Sequence, residues 1–171
     1  MFKTGLHYLK EPYKTIVAKL LDALHKVYGD KLVSLVVYGS VARGDARRDS
    51  DLDVLIIVDN NLPRSRFERI RTYLKAEDMI IDFLDKLIDE GYAVVISPVI
   101  KTVEEAKHVS PLYLDMVEDA VIVYDKNNFF QQILLKLKEK LDKQGAERVW
   151  IGRKWYWRLK KDYRFGEVIE I

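Results

Sequence analysis

The sequence predicts an α/β protein, a sheet covered by helices. Short apolar runs with strand character alternate along the chain with amphipathic helical stretches. Hydrophobic residues make up 49% of the 171 positions, enough for a proper core. The length fits one domain with a small appendage.

The first helix is predicted over residues 13–28. Ile16, Val17, Leu20, Leu21, Leu24 and Val27 recur at helical spacing, with Pro12 near the start and Gly29 at the end. Residues 32–38 and 52–58 read as two buried strands, and Asn60 to Pro63 as a turn. A long helix is expected over 64–90, with Phe67, Ile70, Leu74, Ile81, Leu84 and Ile88 as its apolar stripe and Gly91 as its stop. Tyr92 to Ile100 reads as a third strand, whose Pro98 points to a sheet edge or a bulge. A short helix over 103–107, a helix opened by Ser110-Pro111 and running through 112–118, and a strand over 121–124 follow. Residues 128–144 close the pattern as a helix, with Phe130, Ile133, Leu134, Leu137 and Leu141 on one face.

Composition excludes several function classes. Zero cysteines rule out disulfides and thiolate zinc sites. His7, His25 and His108 lie far apart, show no ligand spacing and are expected on the surface. There is no run of 18 apolar residues, and the stretch MFKTGLHYLKEPYK has no signal-peptide core, so a cytoplasmic location without membrane attachment is expected. Charge is nearly balanced, at net +2, and does not by itself argue for nucleic acid.

The chemistry concentrates in VVYGSVARGDARRDSDLDVLIIV, residues 36–58. Gly39 lets the backbone turn sharply and approach a ligand with no Cβ in the way. Ser40 is placed to cap a helix start, with Val41-Ala42-Arg43 as its first turn, and such a start presents free N–H groups to a phosphate. Ten residues separate Ser40 from Asp51. Asp51 and Asp53 point the same way because successive strand side chains alternate. Two neighbouring carboxylates stay ionised most easily around a cation, and Mg²⁺ suits oxygen ligands while leaving room for substrate phosphates. Arg43 is expected to contact a triphosphate through its guanidinium; Arg47 and Arg48 are equally readable as solvated loop residues. Asp49, Ser50 and Asp51 alone would also suit an ordinary turn, but Asp53 falls inside an apolar run, where a lone charge is costly.

These residues resemble the signature G-S-x10-D-x-D of the nucleotidyltransferase superfamily, the fold shared with DNA polymerase beta, in its minimal form. Gly39, Ser40, Asp51 and Asp53 meet it, with Ser50 before the first aspartate as in many members. The resemblance extends over roughly residues 12–125. It implies a small mixed sheet covered by helices, with a nucleotidyltransferase-like domain over 1–125 and a C-terminal helix and basic aromatic tail over 126–171, packed on that domain or on a partner. It also implies transfer of a nucleoside monophosphate, AMP favoured, from an NTP to a hydroxyl of a protein or small molecule. The antitoxin half of a toxin–antitoxin pair is one such setting. Asp51 and Asp53 would be catalytic and hold Mg²⁺; Gly39, Ser40, Arg43 and Ser50 would bind nucleotide.

Active members usually carry a third acid on the strand after the long helix. Here that strand reads YAVVISPVI, and its nearest polar side chain is Ser97. Three readings stay open. Glu104 or Glu105 supplies the group, the acceptor needs no enzymic base, or the chain is a weak or inactive module that binds nucleotide and a partner.

The tail RVWIGRKWYWRLKKDYR, residues 148–164, holds seven Lys/Arg, one acid and all three tryptophans, Trp150, Trp155 and Trp157. A strand or hairpin folding back is predicted, with Trp155 and Trp157 on one face and Tyr156 on the other. Packing or a protein partner is favoured over single-stranded nucleic acid.

Overall fold

The computed structural model describes residues 2–152, 154–164 and 167–169; Arg153 of the basic tail lies outside them. The elements follow in chain order as β1 (Lys3–Thr4), α1 (Tyr13–Tyr28), β2 (Leu32–Tyr38), α2 (Gly39–Arg43), β3 (Leu52–Val58), α3 (Arg66–Asp78) and α4 (Ile81–Asp89). They continue as β4 (Ile96–Thr102), α5 (Val103–Lys107), α6 (Pro111–Asp119), β5 (Val121–Asp125), α7 (Phe129–Gln144), β6 (Glu147–Ile151) and β7 (Lys154–Arg158).

Strands β1 to β5 form one mixed sheet in the order β1-β5-β2-β3-β4. β2 runs antiparallel to β3 and β5, whereas β3–β4 and β1–β5 are parallel. The near-continuous apolar runs of β2 and β3 follow from their central position, because helices cover both faces. On one face α1, α3 and α4 bury Ile16, Leu20, Leu24, Tyr73 and Leu84 against Leu35, Val54 and Ile56. On the other, α6 and α7 bury Tyr113, Met116, Phe130, Leu134 and Leu137 against Val36, Leu55 and Ile57. Among the described residues no helix is long and apolar enough to cross a membrane.

The long helix expected over 64–90 is two helices, broken at Met79-Ile80. Its buried face is Tyr73, Ala76, Ile80, Leu84 and Leu87. That face is offset from the expected stripe, and Phe67 and Ile88 are 73% and 60% exposed. Tyr73, Ala76, Ile80, Leu84 and Leu87 keep helical spacing across the break, so both helices bury one continuous face. β4 begins at Ile96 rather than Tyr92, and residues 92–95 serve instead as an extended tie, with Ala93 N–H donating to Arg48 O and Leu52 N–H to Val95 O. β4 is an outer strand, which accommodates Pro98 where its missing N–H costs no ladder bond. His7, His25 and His108 are exposed, as expected.

A polar link joins the sheet to α7. The buried Ser34 hydroxyl donates to Asp125 Oδ1 at 2.6 Å, and the two Asp125 oxygens accept from Phe130 N–H (3.0 Å) and Gln131 N–H (2.9 Å) in the first turn of α7. Asp125→Ala strands the Ser34 hydroxyl and opens that turn. We expect a loss of about 2–3 kcal/mol in urea unfolding, with Asp125→Asn retaining part of it.

The C-terminal residues form the predicted hairpin, β6 antiparallel to β7. Its inner face docks on α6: Trp155 and Trp157 both donate their indole N–H to Asp115 Oδ1, at 2.8 and 2.9 Å, and Arg148 forms an ion pair with Asp119. Tyr156 faces outward and is exposed.

Candidate functional site

The site is built at one end of the central strands. β2 and β3 pair so that Tyr38 lies opposite Asp53, and β3 and β4 pair so that Asp53 lies opposite Ser97. Cross-strand partners share a face. Tyr38, Asp53 and Ser97 therefore form a row on the side of the sheet that carries α6, α7 and the hairpin. Asp51, two residues earlier, precedes the strand and is exposed.

The chain leaves β2 at Tyr38 and turns at once into α2. Gly39 has φ +73°, a left-handed conformation that disfavours any side chain. A Cβ there would stand 2.4 Å from Asp53 Oδ2 and 3.3 Å from its carboxyl carbon. The turn thus lies directly against the Asp53 carboxylate. The cap position of α2 is Tyr38, so Ser40 lies within the helix rather than capping it as the sequence predicts. Its carbonyl accepts from Gly44 N–H and Asp45 N–H, closing the turn around Gly44.

The connection to β3 is pinned by several bonds. Tyr13 Oη donates to Arg47 O at 2.6 Å, the Ser50 hydroxyl accepts from Arg47 N–H at 2.8 Å, and Lys10 Nζ donates to Gly44 O at 3.2 Å. Ser50, expected among the nucleotide-binding residues, thus has its hydroxyl engaged within the loop that delivers Asp51. Arg47 and Arg48 line a cavity of about 120 Å³ with Lys10, Tyr13 and Tyr92, and the Arg48 guanidinium lies 5.1 Å from the Tyr92 ring centre.

Burial first, and then the Asp51 charge, push the Asp53 carboxyl above the usual carboxylate range, while Arg43 pulls it back. Burial, then Asp53, push the Tyr38 phenol up to about 12. The Arg43 Nε–H donates to Asp45 Oδ2 at 3.3 Å, and its guanidinium stands 4.8 Å from the Trp155 ring centre.

Glu104 and Glu105 are not part of this arrangement. They follow Thr102, which pairs with Val58 at the opposite end of β3. Glu105 closes a capping box with Thr102 and accepts from both terminal nitrogens of Arg69, at 2.6 and 2.9 Å; Glu104 pairs with Lys107. Hydrogen bonds from Arg69 chiefly, and from Thr102, hold the Glu105 carboxyl low against its partial burial. A depressed folded-state value gives stability that is present at neutral pH and lost as pH falls through it. We expect the stability advantage of wild type over Glu105→Gln to shrink below about pH 4.3, and solvent at its 46% exposed side chain to keep it within about 1 kcal/mol.

Among the described residues no group of three or more His, Cys, Asp or Glu is assembled for a metal. The donor set around Asp53 fits a hard divalent cation all the same. It comprises two close carboxylates, one of them partly buried and destabilised by the other, beside a glycine that keeps the space over it clear. Sequence reasoning missed Tyr38 and the Arg43–Trp155 contact. Tyr38 was hidden within an apolar run, and Trp155 enters only through the folding of a remote hairpin.

Comparison with known proteins identifies the family. The profile of the nucleotidyltransferase domain matches residues 17–151. The Methanocaldococcus jannaschii protein MJ1305, named "Putative protein adenylyltransferase", is 30% identical over 125 residues, covering 72% of this chain and 79% of that one. MJ0604 of the same organism, similarly named, is 28% identical over 88 residues, covering 52% of this chain and 72% of its own. Among solved structures, a toxin–antitoxin crystal structure with AMP-PNP aligns at TM-score 0.43 and 14% identity, covering 75% of this chain and 91% of that chain. A mutant of the toxin–antitoxin MntA-HpeT aligns at 0.44 and 13%, covering 75% and 89%. With a family profile spanning most of its length and a relative at 30% identity, the chain belongs to the nucleotidyltransferase family.

Proposed function

We propose that this nucleotidyltransferase moves AMP from ATP to a hydroxyl of a protein, at the end of the sheet where the Gly39-Ser40 turn meets the Asp51–Asp53 pair. The observation that carries the reading is the approach of the turn to the carboxylate, which only a glycine at position 39 permits. The name of MJ1305 favours adenylate and a protein acceptor over other bases and small molecules.

Asp51 and Asp53 would hold Mg²⁺, which supplies charge neutralisation on the phosphate oxygens when bound. Gly39 leaves room for the polyphosphate, Ser40 offers a hydroxyl to it, and Arg43 offers a guanidinium fork to its terminal oxygens. The acceptor oxygen attacks the α-phosphorus in line. Its new P–O bond forms as the bond to the β-phosphate oxygen breaks, pyrophosphate leaves, and the acceptor proton passes to solvent or to a carboxylate. The residues contribute positioning and charge compensation.

Ser97 pairs with Asp53 across β3 and β4, and β4 carries no acid. That favours a second reading, a catalytically weak or inactive module that binds nucleotide and a partner. Incubation with α-labelled ATP, CTP, GTP or UTP, Mg²⁺ and cell extract separates the two. Label on a protein band, strongest from ATP and lost in Asp51→Ala and Asp53→Ala, supports transfer. Nucleotide binding without transfer in any extract supports the second reading, and absence of both refutes each.

A further inference from the structure

We propose that Trp155 of the C-terminal hairpin is a positioning residue for Arg43, so that the hairpin forms part of the polyphosphate site. This rests on the reading above that Arg43 meets the nucleotide phosphates.

Arg43 is a long side chain on a five-residue helix, only 20% exposed, beside a carboxylate, Asp45, that is 63% exposed. Its Nε–H donates to Asp45 Oδ2 at 3.3 Å, an anion that competes with phosphate for the guanidinium. The indole ring of Trp155, 4.8 Å from the guanidinium carbon, offers a different kind of hold. A guanidinium lying against an aromatic face keeps its charge and leaves its in-plane N–H donors directed outward, free for phosphate oxygens.

The ring is itself fixed. Its N–H donates to Asp115 Oδ1 at 2.8 Å, and Arg148, 5.3 Å from its centre, is tied to Asp119 on the same helix. Trp157 donates to the same Asp115 oxygen, which locks the hairpin register. The path from α6 runs through Trp155 to Arg43, in the short helix that follows the Gly39 turn. An aromatic-rich basic tail that reads in sequence as a packing or docking element thus reaches the phosphate turn.

The test compares wild type with Trp155→Leu, which keeps apolar bulk without a π face, and Trp155→Phe, which keeps the face. Calorimetric binding of ATP with Mg²⁺, inorganic tripolyphosphate and AMP is measured, with thermal melting as a check of folding. We expect Trp155→Leu to weaken ATP and tripolyphosphate about fivefold, the effect of one partly exposed cation–π contact, and to leave AMP unchanged. Trp155→Phe should restore most of the loss, and Trp155→Leu should add nothing in an Arg43→Ala background. Asp115→Ala, which frees the ring without altering it, should act in the same direction if Trp155→Leu does not fold. Equal ATP binding by wild type and Trp155→Leu, parallel loss of AMP, or additivity with Arg43→Ala overturns the inference alone. A wild type that binds no ATP overturns it together with the function it rests on.

Discussion

Asp53→Ala is expected to lower nucleotide transfer on the order of a thousandfold or more, with a folded protein remaining, because it removes a carboxylate held against the phosphate turn. Asp53→Asn sharpens the prediction. In the metal-free protein the Asp53 charge is opposed by burial and by Asp51. The neutral amide removes both costs, so the variant should melt about 2–4 °C above wild type without metal while losing activity. Added Mg²⁺ should raise the melting temperature of wild type and leave Asp53→Asn unmoved. Scanning calorimetry with EDTA and then with Mg²⁺ makes both comparisons. A variant less stable than wild type under EDTA, with an unchanged response to Mg²⁺, would mean that the carboxylate is a structural group rather than a cation ligand.

Gly39→Ala carries the second large effect. The new Cβ would stand 2.4 Å from Asp53 Oδ2, on a backbone with φ +73°. Left-handed strain alone costs about 1–2 kcal/mol. The carboxylate must also shift, and a displacement near 1 Å in a positioned group lowers rates about a hundredfold. Gly29→Ala provides the control. It has φ +56° and no atom within 4 Å of an added Cβ, so it should show the strain and none of the activity loss. Urea unfolding and label transfer, measured on both variants, separate the two contributions. Equal activity in Gly39→Ala and wild type would show that the contact between turn and carboxylate has no part in the reaction.

Much of this arrangement was legible in the residues. The apolar runs of β2 and β3 and the amphipathic period of α1 and α7 placed the sheet and its covering helices. The glycine-serine pair and the D-x-D spacing marked the candidate site, because few other uses explain a charge inside an apolar strand. What escaped had physical causes. The break at Met79-Ile80 carries no glycine or proline to announce it, and Tyr73, Ala76, Ile80, Leu84 and Leu87 keep helical spacing across it, so periodicity alone reads one helix. β1 is two residues long and exists only because β5 offers it an edge. Glu104 and Glu105 follow β4 closely in sequence, but the parallel β3–β4 pairing carries them to the far end of the sheet from Asp51 and Asp53. The Arg43–Trp155 contact joins residues that no local pattern connects.

The central claim is that Asp51 and Asp53 hold a divalent cation facing the Gly39-Ser40 turn, with a nucleotide's phosphates between. A crystal structure with Mg²⁺ and a non-hydrolysable ATP analogue tests it most directly. The account predicts a metal about 2.0–2.1 Å from a carboxylate oxygen of each aspartate, with the polyphosphate against Gly39 and Ser40. A nucleotide bound elsewhere, in the Arg47–Arg48 cavity for instance, with both carboxylates free of metal, would contradict it.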